Sequence, residues 1–149
     1  MIHTLILLAS FPVMAEPEAQ PSSDQMAMYN LLKVREAPPT CSALAALSAQ
    51  PADDLIWLMD HANQPAWVGV RAAHCVLTQH LDEKATVIDT WVTDPNRRGL
   101  AIMTIGMLSK VPKEHGERIA KIALNGPHAA DARKRLIEDA NPDLLKLVE

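Results

Sequence analysis

The sequence predicts an all-α protein, a short superhelical stack of helical hairpins. The 149-residue chain is 48% hydrophobic but only 3% aromatic, and a core of Ala, Leu and Met favours helices over β-sandwiches or barrels. Pro65, Pro95 and Pro127 each open an apolar run that holds a small residue and an arginine, at intervals of about 30 residues. This period is typical of stacked repeats, in which each unit buries its apolar face against its neighbours.

Residues 1–15 are predicted to be an export signal. Residues 5–13 are apolar and uncharged, and Ala15 completes a small-x-small cleavage site. The run is shorter than the roughly 20 apolar residues that a membrane span needs, so no membrane span is expected. We expect cleavage after Ala15 and a periplasmic or secreted protein. Because no Lys or Arg precedes the run, the alternative is an apolar N-terminus on a cytoplasmic protein.

Residues 16–37 are predicted to form a leader and one helix. The leader is rich in Pro, Glu and Ser, a composition typical of disorder. Ser23 or Asp24 is expected to cap a helix that runs to about Arg35. Pro38 and the proline after it then end this segment. Residues 38–149 are assigned to a single repeat domain with capping helices at its C-terminal end.

The first half of the repeat domain is predicted from helix-start signals. Thr40 is a suitable cap for a helix from Cys41, and Pro51 suits the first turn of the next helix. The second hairpin is predicted to consist of one helix over residues 67–79 and another over residues 82–92. The second of these carries an apolar stripe at helical spacing.

The second half is predicted in the same way. A third hairpin begins near Arg97, and its residues 100–108 are apolar on almost every side, as an inner helix would be. Pro112 opens its partner helix. A shorter, more charged unit follows, with a helix over residues 129–137 and a last turn after Asn141, which would shield the open end of the stack.

The units resemble the HEAT repeat of the armadillo/HEAT-like class. The motif positions are occupied by Asp94, Pro95, Arg98 and Ala101, and the short spacing resembles the HEAT-like repeats of phycobilisome lyases. Further matches, weaker along the series, are residues 64–73, 126–133 and 38–47. The resemblance covers about residues 38–140.

The resemblance implies a scaffold or binding surface. Some members of the family handle a chromophore or modify a partner, but the repeat itself carries no such chemistry. In the family the arginine bonds to turn backbone or to a neighbouring Asp. The resemblance therefore implies structural roles for Arg71, Arg98 and Asp94.

Cys41 and Cys75 are the two cysteines of the chain. In an oxidising compartment an even number of cysteines suggests a disulfide. The alternative is that both are small buried apolar residues.

Charge is distributed unevenly along the chain. The net charge is −4, yet residues 94–135 hold nine basic and four acidic residues. One interpretation is solvated helix faces with local ion pairs, and the other is a basic strip for an acidic partner.

The sequence contains none of the common catalytic or cofactor-binding motifs. A phosphate loop, His-Glu-x-x-His, Gly-x-Ser-x-Gly and Cys-x-x-Cys are all missing. His74 and His80 are six residues apart, which places them on different sides of a helix. We therefore expect no catalytic residue, metal or cofactor.

The leading hypothesis is a non-enzymatic, exported module that binds another protein. The first alternative is a lyase-like or enzyme-accessory factor that holds a small ligand in its groove. The second is nucleic-acid binding through residues 97–135, which requires that the protein is not exported. Trp57 and Trp67 are candidate binding anchors, or else they seal the first two hairpins. The predicted partner-binding face, on the second helices, consists of Asp53, Asp54, Glu83, Lys84, Asp89, Glu117 and Lys121.

Overall fold

The computed structural model describes residues 20–62 and 64–149, and this part of the chain is helical and contains no strands. The all-α prediction is confirmed. The predicted export signal and residues 16–19 of the leader lie outside the described residues. The helices are α1 (Ser23–Leu32), α2 (Cys41–Ala45), α3 (Pro51–His61), α4 (Trp67–Gln79), α5 (Ala85–Thr93), α6 (Arg98–Ile105), α7 (Lys113–Leu124), α8 (Ala129–Asp139) and α9 (Pro142–Leu145), and a 3-10 turn, Leu108–Lys110, lies between α6 and α7.

The helices pack as a stack. Alternate helices contact one another, with α1 against α3, α5 against α7, α6 against α8 and α7 against α9. Successive helices also pack together, most extensively α3 with α4 and α5 with α6. These contacts are those of a helical stack, as the sequence predicted. The predicted second hairpin is not among the main packing pairs, because α4 packs chiefly on α3 and α5 chiefly on α6.

Most helix starts lie where local chemistry places them. Thr40 accepts a hydrogen bond from the backbone N–H of Ala43, and Asn141 caps α9 in the same way. Pro51 is the first residue of α3. The cap of α1 differs from the prediction: it is Ser22, one residue earlier, because Ser22 and Gln25 form a reciprocal capping box.

The end of α1 also differs from the prediction. The helix ends at Leu32 and not near Arg35. The guanidinium of Arg71, on α4, donates hydrogen bonds to the backbone carbonyls of Leu32, Val34 and Arg35. An arginine that is distant in sequence thus binds the backbone carbonyl groups at and after the end of α1.

Two helix boundaries in the middle of the chain were predicted wrongly. The helix expected from residue 82 begins at Ala85, because a turn occupies the residues before it. The apolar run over residues 100–108 is not one helix, since α6 ends at Ile105 with Gly106 as its C-cap. A Cβ atom on Gly106 would lie 2.7 Å from Nε of Arg135, so this side chain from α8 covers the end of α6.

The core runs through the whole stack. Its largest fully buried side chains include Trp91, Met28 and Ile119, from α5, α1 and α7. The predicted disulfide is present: Cys41 and Cys75 are bonded, with an S–S distance of 2.02 Å, and join α2 to α4. Across residues 20–62 and 64–149, every helix falls short of the length and apolar character required to cross a bilayer.

Candidate functional site

The residues of the predicted partner-binding face lie on or next to α3, α5 and α7, and several of them contact one another. Lys84 Nζ lies 2.6 Å from Asp53 Oδ1 and 3.1 Å from Glu83 Oε1. The hydrogen bond to Asp53 is the main cause that raises the pKa of Lys84 above its ordinary value. Asp54 accepts hydrogen bonds from Gln25 Nε2, at 2.9 Å, and from Ser48.

Of the remaining residues of that face, Asp89 and Glu117 also lie close to basic side chains, and Lys121 is the exception. Both carboxylate oxygens of Asp89 accept hydrogen bonds from Arg118, at 2.6 and 2.7 Å. Glu117 lies 3.9 Å from Lys113, while Lys121 is exposed. Most of these charges therefore connect one odd-numbered helix to the next, and they are already satisfied within the chain.

A second series of polar contacts involves residues on or just before α6 and α8. Arg98 donates to both carboxylate oxygens of Asp131, at 2.7 and 2.6 Å, and so links α6 to α8. Nε2 of His128 lies 2.9 Å from the backbone carbonyl of Asp94. Arg97, which precedes α6, pairs with Asp60 on α3. Arg71 and Arg98 are thus both used in contacts within the chain.

A groove with a volume of about 380 Å³ opens between α2, α4 and the 3-10 turn. Its wall includes the Cys41–Cys75 bond, and we call it the disulfide groove. None of its lining side chains is acidic. Its lining is apolar at Leu32, Pro38, Pro39, Val70 and Met107, polar at Thr40, and basic at Arg71, His74 and Lys110.

The basic side chains of the disulfide groove have no acidic partner within the described residues. None of the ion pairs found there involves Arg71 or Lys110. Partial burial, and secondly the positive charge of Lys110, lower the pKa of His74 from its ordinary value of 6.5. The groove therefore has a positive electrostatic character that nothing in its lining neutralises.

Four large apolar side chains are exposed beside this groove, and we call them the apolar patch. They are Leu31 (39% exposed), Val34 (46%), Trp67 (37%) and Val70 (44%). Arg71 joins the two pairs, because its guanidinium bonds to the Val34 carbonyl and lies 6.0 Å from the centre of the Trp67 ring. Val70 belongs to both the patch and the groove wall.

The two candidate tryptophan anchors differ. Trp57 packs against the core and stacks on His61, with ring centres 4.4 Å apart and planes 10° from parallel. It lines a smaller cavity of about 290 Å³ beside Tyr29. Trp67 has its ring at the surface and is the better anchor for a partner.

The sequence analysis missed His74, Met107 and Lys110 as site residues. They come from α4 and from the segment between α6 and α7, and no motif connects them. The described part of the chain brings no three His, Cys, Asp or Glu side chains together as a metal site.

Comparisons with known proteins supply no relative for this chain. It matches no family model, no curated protein and no solved structure. A functional hypothesis therefore rests on the disulfide groove and the apolar patch.

Proposed function

We propose that this protein is an exported, non-enzymatic protein-binding module built from HEAT-like repeats, and that its partner binds at the apolar patch. The observation that supports the proposal is the exposure of Trp67 and Val70 on α4 and of Leu31 and Val34 at the end of α1, two segments that Arg71 links. Single exposed apolar residues are ordinary, but a cluster of them on adjoining helix ends is typical of an interaction site. Trp and Arg, which are neighbours here, are enriched among residues that dominate binding energy.

The predicted charged face is the less suitable surface for a partner. Asp53 pairs with Lys84, and Asp89 pairs with Arg118. A partner that bound these carboxylates or amines would have to replace contacts that connect the helices. The apolar patch requires no such exchange.

Export is supported by the disulfide and by the predicted signal. Disulfides persist mainly in oxidising compartments such as the periplasm or the extracellular space. The Cys41–Cys75 bond joins two helices of the stack. Edman sequencing of the natively produced protein should give an N-terminus at Glu16, and an intact N-terminus would contradict the export half of the proposal.

A second candidate function is an accessory factor that holds a small ligand. The disulfide groove favours it, because about 380 Å³ falls within the usual size range of ligand pockets. Native mass spectrometry of protein purified from its own host would reveal a bound molecule. A spectrum with the polypeptide mass alone would count against this candidate.

Nucleic-acid binding through residues 97–135 is the weakest candidate. Three arginines in this stretch form ion pairs within the chain, which reduces the positive charge available for phosphate groups. They are Arg97, Arg98 and Arg118.

The protein-binding proposal is tested by site-specific photocrosslinking in the native host. The Trp67→p-benzoylphenylalanine variant should give a discrete crosslinked product of higher mass. Ile137, on α8, is 54% exposed and serves as the matched control position. Adding Val70→Glu to the first variant should strongly reduce the product, because a charge would enter the apolar patch.

The outcomes of this experiment separate clearly. A product at position 67 that is absent at position 137 and lost with Val70→Glu supports the proposal. Equal products at both positions would indicate non-specific contact. The absence of any product at position 67 contradicts the proposal.

A further inference from the structure

The disulfide groove has two chemically different parts. Pro38, Val70 and Met107 offer apolar surface. Arg71 and Lys110 offer positive charge, and the ring of His74 is polar. A ligand that satisfies both parts must combine apolar groups with a negative charge.

The positive charge in the groove lacks a counter-ion from the protein itself. The two terminal nitrogens of the Arg71 guanidinium donate to three backbone carbonyls, which carry no formal charge. Lys110 is exposed, and among the described residues it takes part in no ion pair. Elsewhere in the stack, basic side chains such as Lys84 and Arg118 do pair with carboxylates. The groove is therefore a place where an external anion can pair with basic side chains of the protein.

The shape of the site indicates an extended ligand. The groove is open to solvent and continues through Val70 into the apolar patch. A compact anion would fill only the basic end and leave the apolar surface exposed. A chain that crosses from the patch into the groove covers both.

We infer that the disulfide groove binds an acidic, apolar segment of the partner protein, with a carboxylate near His74 and Lys110 and apolar side chains on Pro38, Val70 and Met107. This inference rests on the proposed protein-binding function. The basic residues of the groove favour a carboxylate by charge complementarity, and the apolar lining favours apolar residues on either side of that carboxylate. The carboxylate also raises the pKa of His74, because an opposite charge favours the imidazolium form.

The test uses the oxidised protein and two fluorescent peptides that differ only in charge. One peptide has the sequence Leu-Asp-Leu-Val-Glu-Leu, with both termini blocked, and the other replaces Asp and Glu by Asn and Gln. The acidic peptide should bind about threefold to tenfold more tightly than its amide counterpart, as one or two partly exposed ion pairs allow. This preference should shrink as salt is added. Amide NMR shifts should map to residues 70–75 and 107–110.

Two variants and one lipid probe complete the test. Lys110→Met should abolish the preference for the acidic peptide, whereas Lys134→Met, on the exposed face of α8, should leave it unchanged. Equal affinity for the two peptides, or no binding of either at millimolar concentration, overturns the inference. Binding of decanoate without binding of the acidic peptide also overturns it and assigns the groove to a lipid.

Failure of this inference is distinguishable from failure of the proposed function. The crosslink from position 67 is measured again in a Lys110→Glu background. A full yield of product there, together with equal peptide affinities, rejects the groove but leaves the protein-binding function intact. If the Trp67→p-benzoylphenylalanine variant with Lys110 intact gives no crosslink, the proposed function itself is rejected.

Discussion

The first four helices and the last five are held together by different means. In α1–α4, a disulfide joins α2 to α4, and Arg71 fastens α4 to the end of α1. In α5–α9, carboxylate–arginine and carboxylate–lysine pairs connect alternate helices, as Asp89 and Arg118 do between α5 and α7. Exposed large apolar side chains also divide unequally: five of the six in the described chain precede α5, and Ile137 is the exception.

The contrast between the halves shows how a small stack can keep apolar surface exposed to solvent. A covalent link and an arginine that binds backbone carbonyls stabilise the first half without covering Trp67 or Val70. The second half lacks such a link and buries its apolar faces between paired helices. Stabilising contacts and exposed apolar surface are thus arranged differently in the two halves.

Removal of the disulfide is expected to have the largest effect. Cys41→Ala with Cys75→Ala opens a loop of sequence separation 34, which should lower the free energy of unfolding by about 3 kcal/mol. The measurement is urea denaturation, combined with amide hydrogen exchange of α2 and α4. Reduced wild-type protein is the matched control and should behave like the variant. An equal loss of protection in α7 and α8 would contradict the regional difference.

Arg71→Met should have the next largest effect. It removes the donors to the carbonyls of Leu32, Val34 and Arg35, and hydrogen bonds from a charged group contribute about 1–3 kcal/mol. Faster amide exchange should appear at the end of α1. Arg71→Lys should recover only part of the loss, because an ammonium lacks the planar fork that reaches several acceptors. Full recovery by lysine would show that charge alone matters here.

Arg118→Met should have a smaller effect in the second half. Arg118 and Asp89 are both about one-third exposed, so we expect a loss of under about 1 kcal/mol in the free energy of unfolding. Asp89→Asn is the companion change. The double variant should lose little more free energy of unfolding than either single variant, because both substitutions remove the same ion pair. A loss as large as that of Arg71→Met would remove the contrast between the halves.

The sequence was sufficient for the parts of the fold that local chemistry decides. The bounds of α4, Trp67–Gln79, and the caps at Thr40 and Asn141 agree with the prediction. A proline or a capping side chain acts within one turn, so its effect is readable from neighbouring residues. The cysteine pair was also predictable, because only one bridge is possible between two cysteines.

The sequence was insufficient where distant residues meet. Arg71, which binds the end of α1, is 39 residues away from Leu32, and the side chain of Arg135 covers the end of α6 from α8. The disulfide groove depends on the position of Lys110 relative to His74, which only the stacking of the hairpins determines. Such contacts leave no local pattern, so the predicted site consisted of surface charges that instead pair with one another.

Acid should weaken the second half below about pH 4. Hydrogen bonds from Arg98 and Lys113 are the main cause that lowers the pKa of Asp131 and Asp143 below the ordinary value of 3.8. A carboxyl with a depressed folded-state pKa stabilises the protein above its unfolded pKa, and this stability is lost as the pH falls through the folded value. Amide exchange of α8 and α9 at pH 5 and pH 3 measures the loss. The Arg98→Gln variant should show a smaller change in the amide exchange of α8 between pH 5 and pH 3. A change as large as that of the wild-type protein would contradict the role of Asp131.

The first half should respond at a higher pH and more weakly, through His74. Burial and the charge of Lys110 lower its pKa below 6.5. Between 6.5 and the lower folded value the unfolded chain binds more protons than the folded one, so stability decreases as the pH falls from 7 to 5. Arg71 and Lys110 are the other charged groups that line the groove. In the His74→Gln variant the urea midpoint of unfolding should change less between pH 7 and pH 5 than in the wild-type protein. An equal change in both proteins would exclude His74 as the source of the pH dependence.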